Sequence, residues 1–203
     1  MRLHLYIILC IVLISCKSEK DISTKINYFP FHINGEWKYR SKLGDEIVLS
    51  VISQVKINNT FALKICESKS QTTGFNSNIE WYYAKNNQGD LIRLCKPANK
   101  EVSDTTNRFY LWFKFSASAG ESWLTKSIDP ADKNMIDQYR ITLLSKSDTV
   151  HVMGKIFTNC YKYYIEDLNL WDWEYYEWVS KDVGIIKRKY KFANIDYYLI
   201  DYK

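Results

Sequence analysis

Glu80-Trp81-Tyr82-Tyr83-Ala84-Lys85, followed by Gly89 and Leu91-Ile92-Arg93, is answered later in the chain by Glu177-Trp178-Val179-Ser180-Lys181, Gly184 and Ile185-Ile186-Lys187-Arg188. Each block runs from an aromatic, strand-forming stretch through a polar turn with one glycine into a second apolar stretch. Short stretches of this kind, broken by turn residues, fold as antiparallel hairpins. The glycine supplies a positive φ without steric cost.

Working outward, the same pattern fills the chain from residue 28 onward. Trp37-Ser41, Ile47-Ile57, Phe61-Glu67, Ile79-Lys85 and Leu91-Cys95 form one set of predicted strands, and Phe109-Phe115 crosses to the next. Tyr139-Ser145, Thr149-Met153, Phe157-Ile165, Trp173-Ser180, Ile185-Tyr190 and Tyr197-Asp201 form the second. No segment carries a long 3.6-residue apolar repeat, so the fold class is all-β with antiparallel sheets. Two further matches keep the same order. Phe29-Pro30-Phe31 with Gly35-Glu36-Trp37 recurs as Phe113-Lys114-Phe115 with Gly120-Glu121-Ser122-Trp123, and Asn59-Thr60-Phe61 leading to Cys66 recurs as Lys155-Ile156-Phe157 leading to Cys160. Three matched blocks in one order indicate two duplicated halves, about 28–116 and 117–203, parted near Ser116 to Gly120. Each half exposes an apolar face, so the two either pack as a sandwich or continue as one curved half-barrel.

The N-terminus has a different composition. Arg2 is followed by an uncharged run from Leu5 to Ile14, then Leu13-Ile14-Ser15-Cys16 and the charged Lys17-Ser18-Glu19-Lys20-Asp21. A positive charge, a short apolar run and a small residue make a secretory signal peptide over 1–15. The run is shorter than the ~20 apolar residues a membrane span needs. Leu13 to Cys16 resembles the bacterial lipoprotein lipobox at all four positions. That resemblance implies lipidation of Cys16, with membrane lipid as the partner of the anchor and 16–27 as lipidated Cys and tether. Lys17 in place of aspartate after the cysteine implies the outer membrane rather than retention at the inner one. The expected location is the cell envelope, with the domain facing the periplasm or the cell surface.

A second resemblance covers nearly the whole of residues 28–203. The opening Phe29-Pro30 to Gly35-x-Trp37-x-Tyr39, the midpoint Gly120-Glu121-Ser122-Trp123, the Gly154-Lys155-Ile156-Phe157-Thr158-Asn159-Cys160 turn and the closing Glu177-Trp178 with Val183-Gly184-Ile185-Ile186-Lys187 are similar to a group of secreted or lipid-anchored β-rich bacterial proteins. The group implies architecture and compartment and brings no catalytic residues with it.

Removing the first 15 of 203 residues leaves 188, a size that buries roughly 70% of the surface of the unfolded chain. The 28 basic and 23 acidic residues are dispersed, and no basic stripe of the density nucleic acid requires is present. The one basic triplet, Lys187-Arg188-Lys189, has the look of a solvated strand end. Cys66, Cys95 and Cys160 sit in apolar strand patterns, the habit of inert buried thiols. A turn over Asn86 to Gly89 places Cys95 near Glu80 and Cys66 near Trp81, two strand spacings (~9.6 Å) apart, too far for a bond that needs about 7 Å between Cα atoms. The expectation is three buried, unpaired thiols, and spacing alone leaves open whether Cys160 pairs with Cys66 or Cys95.

Chemistry-bearing motifs are scarce. His32 and His151 are far apart and have no third ligand nearby, so no zinc site is expected. Nucleophile-elbow, P-loop and dinucleotide-binding glycine motifs are absent from the sequence, and the chain has only 7 glycines. The densest constellation joins Asp167, Asp172, Glu174 and Glu177 to Trp171, Trp173, Tyr175, Tyr176 and Trp178. Rings that stack on sugars beside acids that bind hydroxyls make Trp171, Asp172, Trp173, Glu174, Tyr175 and Trp178 the candidate ligand surface, against the plainer account of core and rim packing. Strand alternation puts Trp171, Trp173 and Tyr175 on one face, with Asp172, Glu174, Tyr176 and Trp178 on the other. The Asp167-x-Asn169-x-x-Asp172 spacing lacks the glycine and terminal glutamate of a calcium loop. These features point to a non-enzymatic binding or scaffold module with no cofactor, no metal and no catalytic residues, and with a glycan, lipid or protein as partner. The alternative is a carrier or assembly factor holding an acyl chain or an unfolded strand. A carbohydrate-active hydrolase ranks below both, because it needs two carboxylates roughly 5–9 Å apart in one cleft.

Overall fold

The computed structural model describes residues 29–70, 76–96, 100–101, 104, 107–129, 132, 134–152, 154–170 and 173–203. Cys16 with its tether, Trp171 and Asp172 lie outside the described residues.

Twelve strands account for the described chain: β1 Glu36–Ser41, β2 Glu46–Ile57, β3 Thr60–Ser70, β4 Asn76–Lys85, β5 Leu91–Cys95, β6 Arg108–Phe113, β7 Ser122–Ile128, β8 Ile136–Val152, β9 Lys155–Asp167, β10 Glu174–Ser180, β11 Gly184–Tyr190 and β12 Ile195–Tyr202. Apolar alternation is the reason they form. In β2, Ile47, Leu49 and Val51 are buried, while Glu46, Val48 and Ser50 between them are half-buried. The β2–β3 turn uses Asn58 and Asn59, both at positive φ (46° and 63°), as a tight two-residue hairpin requires. Gly89, in the turn before β5, and Gly184, the first residue of β11, adopt φ of 89° and 88°, as expected of the paired hairpin blocks.

All twelve strands belong to one antiparallel sheet ordered β6-β5-β4-β3-β2-β1-β12-β11-β10-β9-β8-β7. Two six-stranded meanders are joined where β1 pairs with β12, for example Tyr39 with Leu199. The sheet curls into a nearly closed barrel instead of splitting into a sandwich. Its two edges, β6 and β7, are consecutive in sequence, and aromatic rings fill the seam they border. Phe113 stacks on Tyr163 at 4.4 Å, Trp112 meets Tyr139 edge-on at 5.7 Å, and Trp123 meets Tyr163 at 6.2 Å.

Several expectations need correcting. Ser122–Ile128 is a strand that the alternation did not reveal, and Ile136–Val152 is a single long strand with three register shifts against β9, in place of the two expected over Tyr139-Ser145 and Thr149-Met153. The Glu-Trp pairs fall on β4 and β10 as expected, but with their faces exchanged. Trp81 points inward and donates from Nε1 to Glu67 (3.1 Å), whereas Glu177 is the inward residue of its pair, 1% exposed. Cys66 pairs across from Glu80, one position from the expected Trp81. All three described cysteines are free, although Cys66 is only half-buried. Burial pushes the thiols of Cys95 and Cys160 up to about 11, away from reactivity.

Candidate functional site

The inward residues divide the barrel along its axis. Toward the end where the chain enters β1, the interior is apolar, with Trp37, Ile65, Ile141, Leu143, Ile165 and Leu199 among its most buried side chains. Toward the other end the inward positions carry charge. Arg188 Nε donates to Glu177 Oε1 at 2.6 Å, and Arg188 Nη1 lies 3.7 Å from Glu67 Oε1. Lys69 Nζ is 3.3 Å from the same oxygen. Arg93 is clamped between indoles, its guanidinium carbon 3.2 Å from the Trp112 ring centroid and 4.3 Å from that of Trp81, a cation–π arrangement in a desolvated setting. Burial alone would raise the Glu67 carboxyl, but Arg188, Lys69 and the Trp81 indole outweigh it and hold the group below the usual carboxylate range.

The basic triplet of β11 is therefore no solvated strand end. Arg188 faces the interior, while Lys187 lies outside between Asp196 and the rings of Trp178 and Tyr198.

The candidate ligand residues separate as strand alternation demands. Tyr175 points inward beside Tyr190 (5.4 Å between centroids), and Trp173, 40% exposed, stands at the barrel mouth against Tyr190 (5.9 Å). Glu174 lies at the rim of the mouth and pairs with Lys191. Trp178 points away from Glu177 but is buried at 8% exposure, donating from Nε1 to Asp148 (2.9 Å) beneath the ammonium groups of Lys162 and Lys187. Glu174 at the rim is held by Lys191 and Glu177 in the interior is held by Arg188, so each carboxylate of this pair is engaged by a cation.

Trp173, Lys69 and Tyr190 line two adjoining spaces. The outer is a recess of about 160 Å³, completed by Glu174, Phe192, Ile195 and Tyr197. The inner, about 40 Å³, lies over Glu67, Arg93, Glu177 and Arg188. Phe192 is 76% exposed at the rim. At the floor, Arg93 Nε and Glu177 Oε2 are buried without a hydrogen-bond partner among the described residues, a donor and an acceptor that a water or a ligand hydroxyl satisfies. Flat apolar rings over fixed charges suit a ligand with both apolar faces and hydroxyl or amide edges. Sequence alone missed Lys69, Arg93, Arg188, Tyr190 and Phe192. The available signal was a charged residue at an inward position of an apolar strand, as in Leu91-Ile92-Arg93-Leu94-Cys95. Among the described residues no group of three or more His, Cys, Asp or Glu side chains is placed to hold a metal ion, and no helix is long and apolar enough to cross a membrane.

No protein-family profile and no curated protein matches the chain. Two solved structures do. One, from Bacteroides fragilis, is described as an exported protein with a YmcC-like fold. It aligns over 88% of this chain and 99% of its own, with a TM-score of 0.53 and 12% identity. The other, from Parabacteroides distasonis, is described as a lipoprotein and aligns over the same shares with a TM-score of 0.49 and 14% identity. The first likeness shows the fold: this chain is an all-β protein of YmcC-like architecture.

Proposed function

We propose that this chain is a lipoprotein of the bacterial envelope, anchored through a lipid on Cys16, whose barrel binds its ligand without chemistry at the Trp173–Tyr190–Phe192 recess. The Leu13 to Cys16 motif supports the anchor, and the B. fragilis protein of the same fold, described as exported, supports an envelope location. Lys17 after the cysteine favours the outer membrane, and the six-plus-six strand order favours descent of the halves from one duplicated unit. The observation that carries the binding reading is a recess rimmed by exposed rings and floored by buried ion pairs. Its ligand class is a glycan, because sugar faces stack on rings while hydroxyls meet charges. The carrier reading is weaker. Trp37, Trp81, Phe113, Tyr163 and Tyr175 fill the middle of the barrel, so its open space is divided between about 40 Å³ at the charged centre and a hollow at the apolar end too small for a whole lipid.

Two measurements test this proposal. Labelling with an alkynyl fatty acid is expected to tag the wild-type chain and to fail with Cys16→Ser, which also leaves the membrane fraction. Titration with envelope oligosaccharides is expected to change tryptophan fluorescence in the parent and not in Trp173→Ala. Equal responses from the two proteins would remove the recess as the site.

A further inference from the structure

A third space, of about 290 Å³, lies at the apolar end of the barrel. The N-terminal segment forms one wall through Phe29, Phe31 and Ile33, and Phe61, Leu63 and Leu91 form another. Phe29 and Phe31 are pinned by Phe113, Trp37 and Tyr83, so the cavity is built on packed rings. Its polar edge is His32, Gln54 and Lys85, and no carboxylate lines it. Phe61 and Ile33 are each 50% exposed at the lip, and the Lys56 ammonium sits 5.7 Å from the Phe61 centroid. An apolar hollow with half-exposed apolar lips and a cationic edge suits a single acyl chain under an anionic headgroup. At ~30 Å³ per water-sized group, the space takes about ten such groups, part of one chain rather than a whole lipid.

The position of the anchor says which surface this end meets. Phe29 lines the cavity, so the chain leading to Cys16 leaves from this rim. Thirteen positions separate Cys16 from Phe29, at most about 45 Å of extended backbone. So short a leash keeps this end at high effective concentration near the leaflet.

We propose that the apolar end of the barrel docks on the leaflet that holds Cys16, with Ile33 and Phe61 entering the headgroup boundary and one acyl chain of an anionic phospholipid entering the cavity. Lys56, at the Phe61 lip, meets the phosphate. The direction of docking rests on the Cys16 reading, whereas the chemistry of the cavity does not.

The test uses the mature chain with Cys16→Ser, sedimented with vesicles of phosphatidylethanolamine and phosphatidylglycerol. The unacylated chain is expected to bind them. Ile33→Asp and Phe61→Asp are each expected to weaken partitioning by about tenfold while leaving the melting temperature unchanged. Leu43→Asp, in an exposed turn at the opposite end, is expected to bind as the parent does. A parent chain left in the supernatant would overturn the proposal, and so would a Leu43→Asp loss as large as that of Phe61→Asp. Failure of Cys16 to take up lipid would show only in the labelling experiment, since the vesicle assay needs no acyl group on the protein.

Discussion

Arg188 on β11 donates from Nε to Glu177 Oε1 on the adjacent β10 at 2.6 Å, with Glu177 buried and Arg188 half-buried in the barrel interior. Glu67 approaches the same guanidinium from β3 across the interior at 3.7 Å. One cation thus links strands from both meanders. Removing ions from water costs several kcal/mol each, and their attraction offsets this only while the partners remain together. Arg188→Leu leaves Glu67 and Glu177 facing each other and is expected to lower the unfolding free energy by about 3–5 kcal/mol. Glu177→Gln in the same background removes one stranded charge and is expected to recover part of the loss. Urea melts at pH 7 measure both. Losses that simply add would show that the two groups do not interact.

Asp137 makes a prediction with a defined sign. Burial, then the nearby Asp167 and Asp129 carboxylates, push its pKa up to about 6. In the unfolded chain an aspartate titrates near ~3.9. Between these values the native state holds the extra proton, so this residue's contribution to stability falls as pH rises from about 4 through about 6. Glu67 has the opposite sign, since its carboxyl is held low and its contribution is lost on acidification. Asp137→Asn removes only the first effect. It is expected to stabilise the protein at pH 8 by up to about 3 kcal/mol and to change little near pH 3.5. Calorimetry at the two pH values checks this, and equal shifts at both would assign the effect to something other than charge.

Gly35 illustrates a requirement for absent volume. A Cβ there would sit 2.9 Å from two Trp37 ring atoms and 2.9 Å from the His32 carbonyl. Trp37 cannot retreat, being 1% exposed with its Nε1 donating to the Val183 carbonyl at 2.8 Å. Gly35→Ala is therefore expected to cost about 1–3 kcal/mol through overpacking. Gly120, at φ 87° with nothing near its missing Cβ, is expected to cost about 1–2 kcal/mol through the backbone alone. Trp37→Phe in each background distinguishes the causes: by relieving the clash it is expected to soften the Gly35→Ala loss and not that of Gly120→Ala.

The hairpin blocks that reveal the strands do not reveal which way they face. Glu80-Trp81 and Glu177-Trp178 carry the same letters, yet Trp81 packs inside against Arg93 and Trp178 lies on the other face of the sheet under two lysines. Side-chain direction has a period of two, so a shift of one residue exchanges every face while leaving the pattern of strands and turns intact. The same property explains the one-residue error at Cys66. β7 escaped notice because Ser122-Trp123-Leu124-Thr125-Lys126-Ser127-Ile128 buries Thr125 and Ser127 where alternation looks for apolar residues. At the mouth, alternation placed Trp173 and Tyr175 together correctly. Lys69 and Arg188, which complete the recess and its floor, come from strands distant in sequence and are brought together only by closure of the sheet.

That closure depends on rings rather than on a hydrogen-bonded ladder. Phe113 stacks on Tyr163 with an interplanar angle of 22°, and both rings are fully buried. Tyr163 also meets Trp123 on β7, so one ring joins the two edges. Phe113→Ala is expected to cost about 3–5 kcal/mol. The distribution of the effect matters more than its size. Between β1 and β12 the strands are held by paired backbone groups, whereas β6 and β7 lack a ladder between them. Amide exchange in Phe113→Ala should therefore accelerate most in β6 and β7 and least at the β1–β12 junction, because the seam opens at a lower free energy than the whole barrel. Uniform acceleration in all twelve strands would mean that the seam and the ladder fail together and that the ring stack is not a separate closure.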